Sequence, residues 1–330
     1  MQSNQLSRRQ ILQAASALAA FGAHAAYAQA APAFQPTKPV KLILPQPPGG
    51  AADRLARGFA ERLEARWKQP VVIENKPGGG VVVGSLAVAR SAPDGHTIGL
   101  LGSSMSINAV QRKDLPYDTL KDLVPIARVG YYTVALVAGG NFPASDVKSL
   151  IALAKSQPGK LSFGSNGIGT SAHLAGEMLN HMGGIEIQHV PYNGAARMYT
   201  DMVGGQIPLG FSILSSAENF VKAGQLKVLG VTTTKRSSLY PQYPSIAETL
   251  PGYDAVNWAG FCGPAGMPPD LAKRIGDDIL AVLRAPDMAK NIADQGIEMG
   301  PQGSAEFDAF IRDEIKRFSA ITRPLGTRMQ

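Results

Sequence analysis

Short apolar runs alternate with amphipathic stretches along the first third of the chain. Residues 40–45, 70–76 and 96–102 are rich in Val, Ile and Leu and predict buried strands. Between the first two, Leu55, Phe59 and Leu63 recur at four-residue spacing with Ala56 and Ala60 beside them, while Glu61, Arg62 and Glu64 fall on the opposite face. That pattern predicts a helix from Asp53. A second helix is expected over residues 82–89. The order β-α-β-α-β predicts a mostly parallel sheet.

After a loop around residues 115–120, the run 126–138 predicts one long strand, and then the pattern begins again. Ser145 is placed to cap a helix over 146–156, which Pro158 and Gly159 stop. A strand over 161–165, a glycine loop over 166–170 and a helix over 171–182 follow. A strand over 188–192, a helix over 195–203 and strands over 208–213 and 226–232 complete a second α/β unit. Helices are expected over 270–284, 287–295 and 304–321. Two α/β units joined by two crossings, near residues 129–137 and 254–263, predict a double-crossover hinge around a cleft.

Two stretches stand out against this frame: VKLILP-QPPGGAA-DRLARGFA and LSFGS-NGIGT-SAHLAGEM, one in each unit. Each is a strand, a glycine loop and an amphipathic helix. In open α/β sheets ligands sit beyond the carboxyl ends of strands. A helix N-terminus there brings unpaired N–H groups and about half a positive charge. Two of them facing one cleft suit a carboxylate. Either loop alone reads equally well as a turn, with Gly49 and Gly50 supplying positive φ and Asp53 serving as a cap. Ser165, Asn166, Thr170 and Ser171 add side-chain donors without adding charge.

Signatures of catalysis are missing. The glycines of residues 164–169 have the wrong spacing for a dinucleotide fingerprint, and no Gly-Lys-Ser/Thr phosphate loop exists. Gly102-Ser103-Ser104-Met105-Ser106 lacks the closing glycine of a nucleophile elbow. His96, His173, His181 and His189 form no His-x-x-x-His pair. His173, in the first turn of its helix, could approach a ligand or simply pack. Asp277-Asp278 reads as a solvated helix face. No nucleophile–base pair emerges, so no catalytic residue, metal ligand or cofactor is assigned, and the chain is read as a non-enzyme.

Composition narrows the partners. The formal charge is +7 over 330 residues, with basic residues scattered and no run of four, which argues against nucleic acid and for small anions. Cys262 is the only cysteine, so no intrachain disulfide and no Cys-based metal site can form; it is expected to be a buried core residue. At the N-terminus, Ser7-Arg8-Arg9-Gln10-Ile11-Leu12 is a twin-arginine pattern. An Ala- and Leu-rich run follows, and Ala26-Tyr27-Ala28 fits a small-x-small cleavage site. Residues 1–28 are therefore expected to be an export signal rather than an anchor, leaving a periplasmic chain.

The sequence resembles the Bug-type periplasmic solute-binding proteins, the extracytoplasmic receptors of tripartite tricarboxylate transporters. The resemblance is carried, in order along nearly the whole mature chain, by PPGGAAD (47–53), QPVVIENKPGGG (69–80), APDGHTI (92–98), LPYDTLKDLVPIA (115–127), AKSQPGKLSFGSNGIGTSAHLAGE (154–177), HVPYNGAA (189–196), DMVGGQI (201–207), AGQLKVLGVTTTKRSS (223–238) and FCGPAGMP (261–268). It implies an α/β, two-lobe, type II (Venus flytrap) periplasmic binding fold, with lobe 1 at 38–133 and 256–330 and lobe 2 at 134–255. It implies a monomeric receptor that hands a small carboxylate (a di- or tricarboxylate, an acidic amino acid or an aromatic acid) to membrane permease subunits. The alternatives are an exported enzyme acting on a carboxylate, or a partner that presents ligand to a sensor kinase. Mapped onto this chain, the resemblance points to Gly49, Gly50, Ala51 and Asp53 in one lobe, and to Ser165, Gly169, Thr170 and Ser171 in the other. Tyr192, Ala195 and Asp201 form a hinge-side wall, and Ser103 and Asn166 complete the candidate lining. Gln46 stands where an aromatic residue is frequent, which predicts a more polar floor. His96 replaces a frequent Tyr, Asn193 a common Lys, and Arg197-Met198 the usual Pro-Ala.

Overall fold

A computed structural model describes residues 34–323; the expected export signal lies outside them. The chain folds into two lobes, each built on one mixed sheet with helices on its faces. The first sheet contains β1 (Val40–Leu44), β2 (Val71–Asn75), β3 (Thr97–Gly102), β4 (Leu123–Tyr132), β10 (Asn257–Pro264) and β11 (Ile297–Gly303), in the order β11-β4-β10-β3-β1-β2. The second contains β5 (Val134–Gly139), β6 (Leu161–Ser165), β7 (Ile187–Pro191), β8 (Leu209–Ile213) and β9 (Leu226–Val231), in the order β7-β6-β8-β5-β9. The helices are α1 (Ala51–Trp67), α2 (Val82–Ala89), α3 (Ser104–Gln111), α4 (Val147–Ser156), α5 (Ser171–Gly183), α6 (Ala195–Val203), α7 (Leu214–Lys222), α8 (Pro269–Leu283), α9 (Pro286–Asp294) and α10 (Ser304–Thr322).

The expectation of mostly parallel sheets needs correction. Only β2-β1-β3 and β7-β6-β8 are parallel; β10 and β5 run antiparallel to the neighbours they flank. Both are strands adjoining a passage between lobes, so each enters its sheet from the opposite end. The single long strand expected over 126–138 is two strands in different sheets. The break falls at Thr133, whose N–H donates to Gly296 O (3.1 Å) and whose carbonyl accepts from Leu214 N (2.9 Å). The return passage is pinned beside it. Thr232 N donates to Val134 O, and Ala255 N to Thr232 O.

Four elements go beyond the sequence-based expectation: α3, α7, β11 and β10, the last expected only as a crossing near 254–263. Helix α10 packs behind both lobes. Its Phe307 and Ile311 join Trp258 and Cys262, while Phe318 joins Tyr253 and Ala255 in the second lobe's core. Cys262 is buried as expected, and burial drives its thiol well above the ordinary range. The cap of α4 is Asp146 rather than Ser145: its carboxylate accepts from Ser149 N (2.7 Å), and Ser149 Oγ returns toward Asp146 N, closing a capping box. Asp278 is not solvated. It is 1% exposed and accepts from Phe34 N, Arg66 Nε and Trp67 Nε1, tying the start of the described chain to α1 and α8.

Candidate functional site

A cavity of about 130 Å³ lies between the lobes. Five helices begin at its wall: α1 through Gly50–Ala52, α3 through Ser104, α5 through Ser171–Ala172, α6 through Gly194–Ala195 and α7 through Ile213 and Ser216. A helix start at the wall brings unpaired N–H groups and a partial positive charge to the enclosed space. Among the described residues no charged side chain lines it. Leu44, Leu101, Trp258 and the ring of Tyr132 supply the apolar part of its lining, and Gln46 lies in the lining beside them. The Tyr132 hydroxyl is buried without a hydrogen-bond partner, and burial pushes its pKa far above the ordinary value. An anion here meets only neutral donors, an arrangement that holds charge without a countercharge.

The first glycine loop is braced from behind. Gly49 has φ +87°, and its N–H donates to Asp53 Oδ2 (3.1 Å). The same carboxylate accepts from Arg57 Nε (2.9 Å) and Asn75 Nδ2 (3.1 Å), and Asn75 Nδ2 also reaches Gln46 O (3.0 Å). Asp53 is thus the third residue of α1 reaching back to the loop, 3% exposed and facing neither cavity. Burial pushes its pKa up, but the bonds from Arg57, Gly49 and Asn75 outweigh this and hold it below the ordinary 3.8. Its contribution to stability is therefore present above that value and lost as pH falls through the lowered one. Asp53→Ala removes the charged acceptor shared by Gly49 N, Arg57 and Asn75. We expect it to cost about 1–3 kcal/mol of stability and about tenfold in ligand affinity. Melting curves should show the wild-type advantage shrinking as pH falls below 4.

The second loop is braced by histidines. Ser165 Oγ accepts from Gly167 N (3.1 Å) and lies 2.7 Å from His189 Nε2. Thr170 Oγ1 donates to Gly167 O (2.7 Å) and caps α5 by accepting from His173 N. Gly169 N donates to His173 Nδ1 (3.3 Å), and His173 stacks on His189 with ring centroids 3.9 Å apart. Burial, with the neighbouring His173, lowers the His189 pKa to about 3, so it stays neutral. His173 is 1% exposed and lines neither cavity: it supports the loop rather than approaching a ligand.

Of the residues singled out from sequence, Gln46, Gly50, Ala51, Asn166, Ser171 and Ala195 line the inner cavity, and Gly169, Thr170 and Tyr192 line an outer chamber of about 1030 Å³. Gly49, Asp53, Ser103, Ser165 and Asp201 line neither. Asp201 instead accepts from Tyr192 Oη and Arg197 Nε (3.1 Å each). Ser103 is wholly buried; its Oγ accepts from Trp258 N (3.0 Å) and lies 3.4 Å from Glu314 Oε1. The serine facing the cavity is the next one, Ser104. Ser212, Ser216, Asn257 and Tyr132 also line it. Tyr132, Ser212 and Asn257 sit at strand ends and Ser216 in the first turn of α7, where the sequence carries no glycine-loop signal.

Glu314 lies just behind this wall. It is 2% exposed, and Trp258 Nε1 donates to its Oε2 (2.6 Å). Burial pushes its carboxyl up to about 8 from the ordinary 4.5, against hydrogen bonds from Trp258, Ser106 and Ser103. A carboxyl protonated in the folded state but ionised in the unfolded one gives full stability below about 4.5. That stability is lost as pH rises toward 8. Glu314→Gln keeps the shape without the charge. We expect it to melt with the wild type near pH 4.5 and above it at pH 8, the gap growing by roughly 1 kcal/mol per pH unit between.

Opposite lobes touch at the mouth of the outer chamber. Gly80, with φ +61°, lies so close to Ile168 that an added Cβ would sit 2.3 Å from the Ile168 carbonyl oxygen. Asn108 Nδ2 donates to Gly80 O (2.6 Å), and a Cβ on Gly169 would sit 2.5 Å from Asn108 Oδ1. Among the described residues no group of three or more His, Cys, Asp or Glu is placed to hold a metal ion.

Known proteins share this two-lobe fold. The family described as TctC, tripartite tricarboxylate transporter family receptor, matches residues 55–327. Protein BugT of Bordetella pertussis is 31% identical over 298 residues, covering 89% of this chain and 91% of that protein. The solved periplasmic binding protein BugD superposes with a TM-score of 0.82 at 28% identity, over 89% of this chain and 100% of that one. An R. palustris protein solved with adipate gives 0.83 at 28% identity, over 88% of this chain and 98% of that one. With a match spanning most of its length, the chain belongs to the TctC family of tripartite tricarboxylate transporter receptors.

Proposed function

We propose that the chain is a periplasmic receptor that captures a small organic acid in the cleft and delivers it unchanged to the permease subunits of a tripartite tricarboxylate transporter. On this reading residues 1–28 are the export signal, 38–133 with 256–330 form the first lobe, and 134–255 form the second. The protein acts as a monomer. The observation that carries the reading is the convergence of five helix N-termini, from both lobes, on one cavity free of charged side chains. The adipate bound by the R. palustris relative supports a carboxylate as the anion. Capture without turnover is supported by the lining. It offers the hydroxyls of Ser104, Ser171, Ser212 and Ser216 but no histidine or carboxylate beside them to act as a base.

The test is a thermal-shift screen of organic acids followed by calorimetry. A Kd in the micromolar range, about −8 kcal/mol, is expected for at least one acid. If no acid shifts the melting point or binds with that affinity, the reading fails.

A further inference from the structure

We propose that Val81 is a specificity-determining residue. It narrows the passage from the inner cavity to the outer chamber, so that the preferred ligand is an elongated acid whose carbon chain is unbranched where it crosses. This rests on the carboxylate reading above, because the carboxylate anchors the ligand in the inner cavity. Pro45, Gln46, Pro47, Val81, Asn166 and Gly194 line both compartments and so form the boundary between them. Beyond it the outer chamber continues past Asn108 and Gln111 of α3 and the loop of residues 167–170. The boundary is drawn from both lobes and is tight. A Cβ built on Gly194 would lie 3.6 Å from Pro47 Cγ across the cleft. Gly80, the neighbour of Val81, is already in contact with Ile168 of the other lobe.

The backbone at Val81 is the second observation. Residues 78–81 run through four successive positive φ angles, +126°, +57°, +61° and +74°. Glycine occupies the first three, where it fits without steric penalty. The fourth is valine, and a β-branched residue at positive φ is a strained outlier. Such strain persists only where the surroundings fix it, and it clusters at ligand sites. Here the surroundings do fix it. Gly79 O accepts from Arg112 Nη1 (3.0 Å), Gly80 O accepts from Asn108 Nδ2 (2.6 Å), and Ser85 N donates to Val81 O (3.1 Å) as α2 begins. Core packing does not account for the valine. It is 7% exposed, yet among the described residues it joins none of the apolar core clusters. It lines the boundary of the two compartments instead, where its methyl groups take up width that a glycine would leave open.

Size decides which part of the ligand crosses. An apolar cavity of about 150 Å³ takes one benzene molecule. The inner cavity, at about 130 Å³, therefore takes about five heavy atoms: the carboxylate and about two carbons beyond it. The third or fourth carbon of a longer acid then lies at the boundary, and the rest enters the outer chamber of about 1030 Å³. A methylene group passes a narrow boundary. A branched or ring carbon there meets the Val81 side chain.

The experiment titrates the mature protein by calorimetry with straight-chain monoacids and diacids of three to eight carbons. The longer acids are also tested with two methyl groups on the third or fourth carbon, and benzoate represents a ring. In the wild type, the best straight acid is expected to have more than four carbons. It should bind at least tenfold more tightly than its dimethyl counterparts and benzoate. Val81→Ala and Val81→Gly are expected to cut that ratio to threefold or less. Melting curves read the strain separately. Val81→Gly is expected to melt no lower than Val81→Ala, the reverse of the usual order of these two residues. Three results overturn the inference while the receptor reading stands: branched or ring acids that bind the wild type as tightly, binding confined to acids of four carbons or fewer, or a ratio unchanged in both variants. A Val81→Gly that melts below Val81→Ala removes the strain and overturns it too. If no organic acid binds at all, both readings fall. Should one variant fail to fold, the other decides, and should both fail, the wild-type series decides.

Discussion

Ser171→Asp is expected to abolish capture of organic acids while leaving the protein folded. Ser171 opens α5, is 6% exposed and lines the inner cavity. A carboxylate there sits among the helix N-termini that are meant to receive the ligand. It accepts their N–H groups and satisfies their dipoles permanently. A second anion about 4 Å away then meets a repulsion of about 4 kcal/mol at the dielectric of a protein surface. Calorimetry should show affinity for the best acid falling at least a hundredfold, about 3 kcal/mol. The melting temperature should hold, because an acidic residue in the first turn of a helix is stabilising by about 0.3–1 kcal/mol. Ser171→Ala removes one donor only and should cost about tenfold or less. Wild-type affinity in Ser171→Asp would mean that these helix ends do not hold the anion.

The second large effect concerns closure. Gly80 in the first lobe and Ile168 in the second meet backbone to backbone, and a methyl group on Gly80 cannot fit at 2.3 Å from a carbonyl oxygen. Gly80→Ala should therefore keep the lobes from meeting. The expected result is a loss of roughly tenfold to a hundredfold in affinity, because the closed state must be favoured for ligand to be retained. Gly79→Ala is the control. Gly79 has φ +57°, so alanine is similarly strained there, but its Cβ would meet only side chains of its own lobe, Val82 at 3.4 Å and Arg112 Nη1 at 3.9 Å. Small-angle scattering should show wild type and Gly79→Ala contracting on ligand addition and Gly80→Ala failing to contract. Equal affinity loss in the two variants would assign the effect to backbone strain alone.

Much of this architecture is visible in the sequence, because its strands and helices carry local hydrophobic periodicity and its two anion loops carry glycine. What escaped is instructive. Helices α3 and α7 begin directly at strand ends, after Ser103 and Ile213, with no side-chain cap and no Gly or Pro turn to announce them. Strand β11 contains Gly300 and Pro301 and pairs irregularly at the sheet edge, where Pro is tolerated. The break at Thr133 leaves no mark in a continuous β-favouring run, since its partners are Gly296 and Leu214, distant in sequence. The site follows the same division. The loops that line the cleft were legible, but not which side chains face it. Asp53 turns back because Arg57 and Asn75 wait there, Ser103 turns toward Trp258 and Glu314, and the cavity takes Ser104 instead. Asn108 and Gln111, on an unforeseen helix, could not be placed at all.

On the proposed reading the receptor's anchor is a set of helix N-termini. The most direct test titrates the best acid found by screening against its own methyl ester. The ester keeps the carbon skeleton and removes the charge that the five helix N-termini are arranged to receive. The acid should bind with micromolar affinity and the ester at least a hundredfold more weakly. An ester that binds as tightly as its acid would show that the cavity does not recognise a carboxylate.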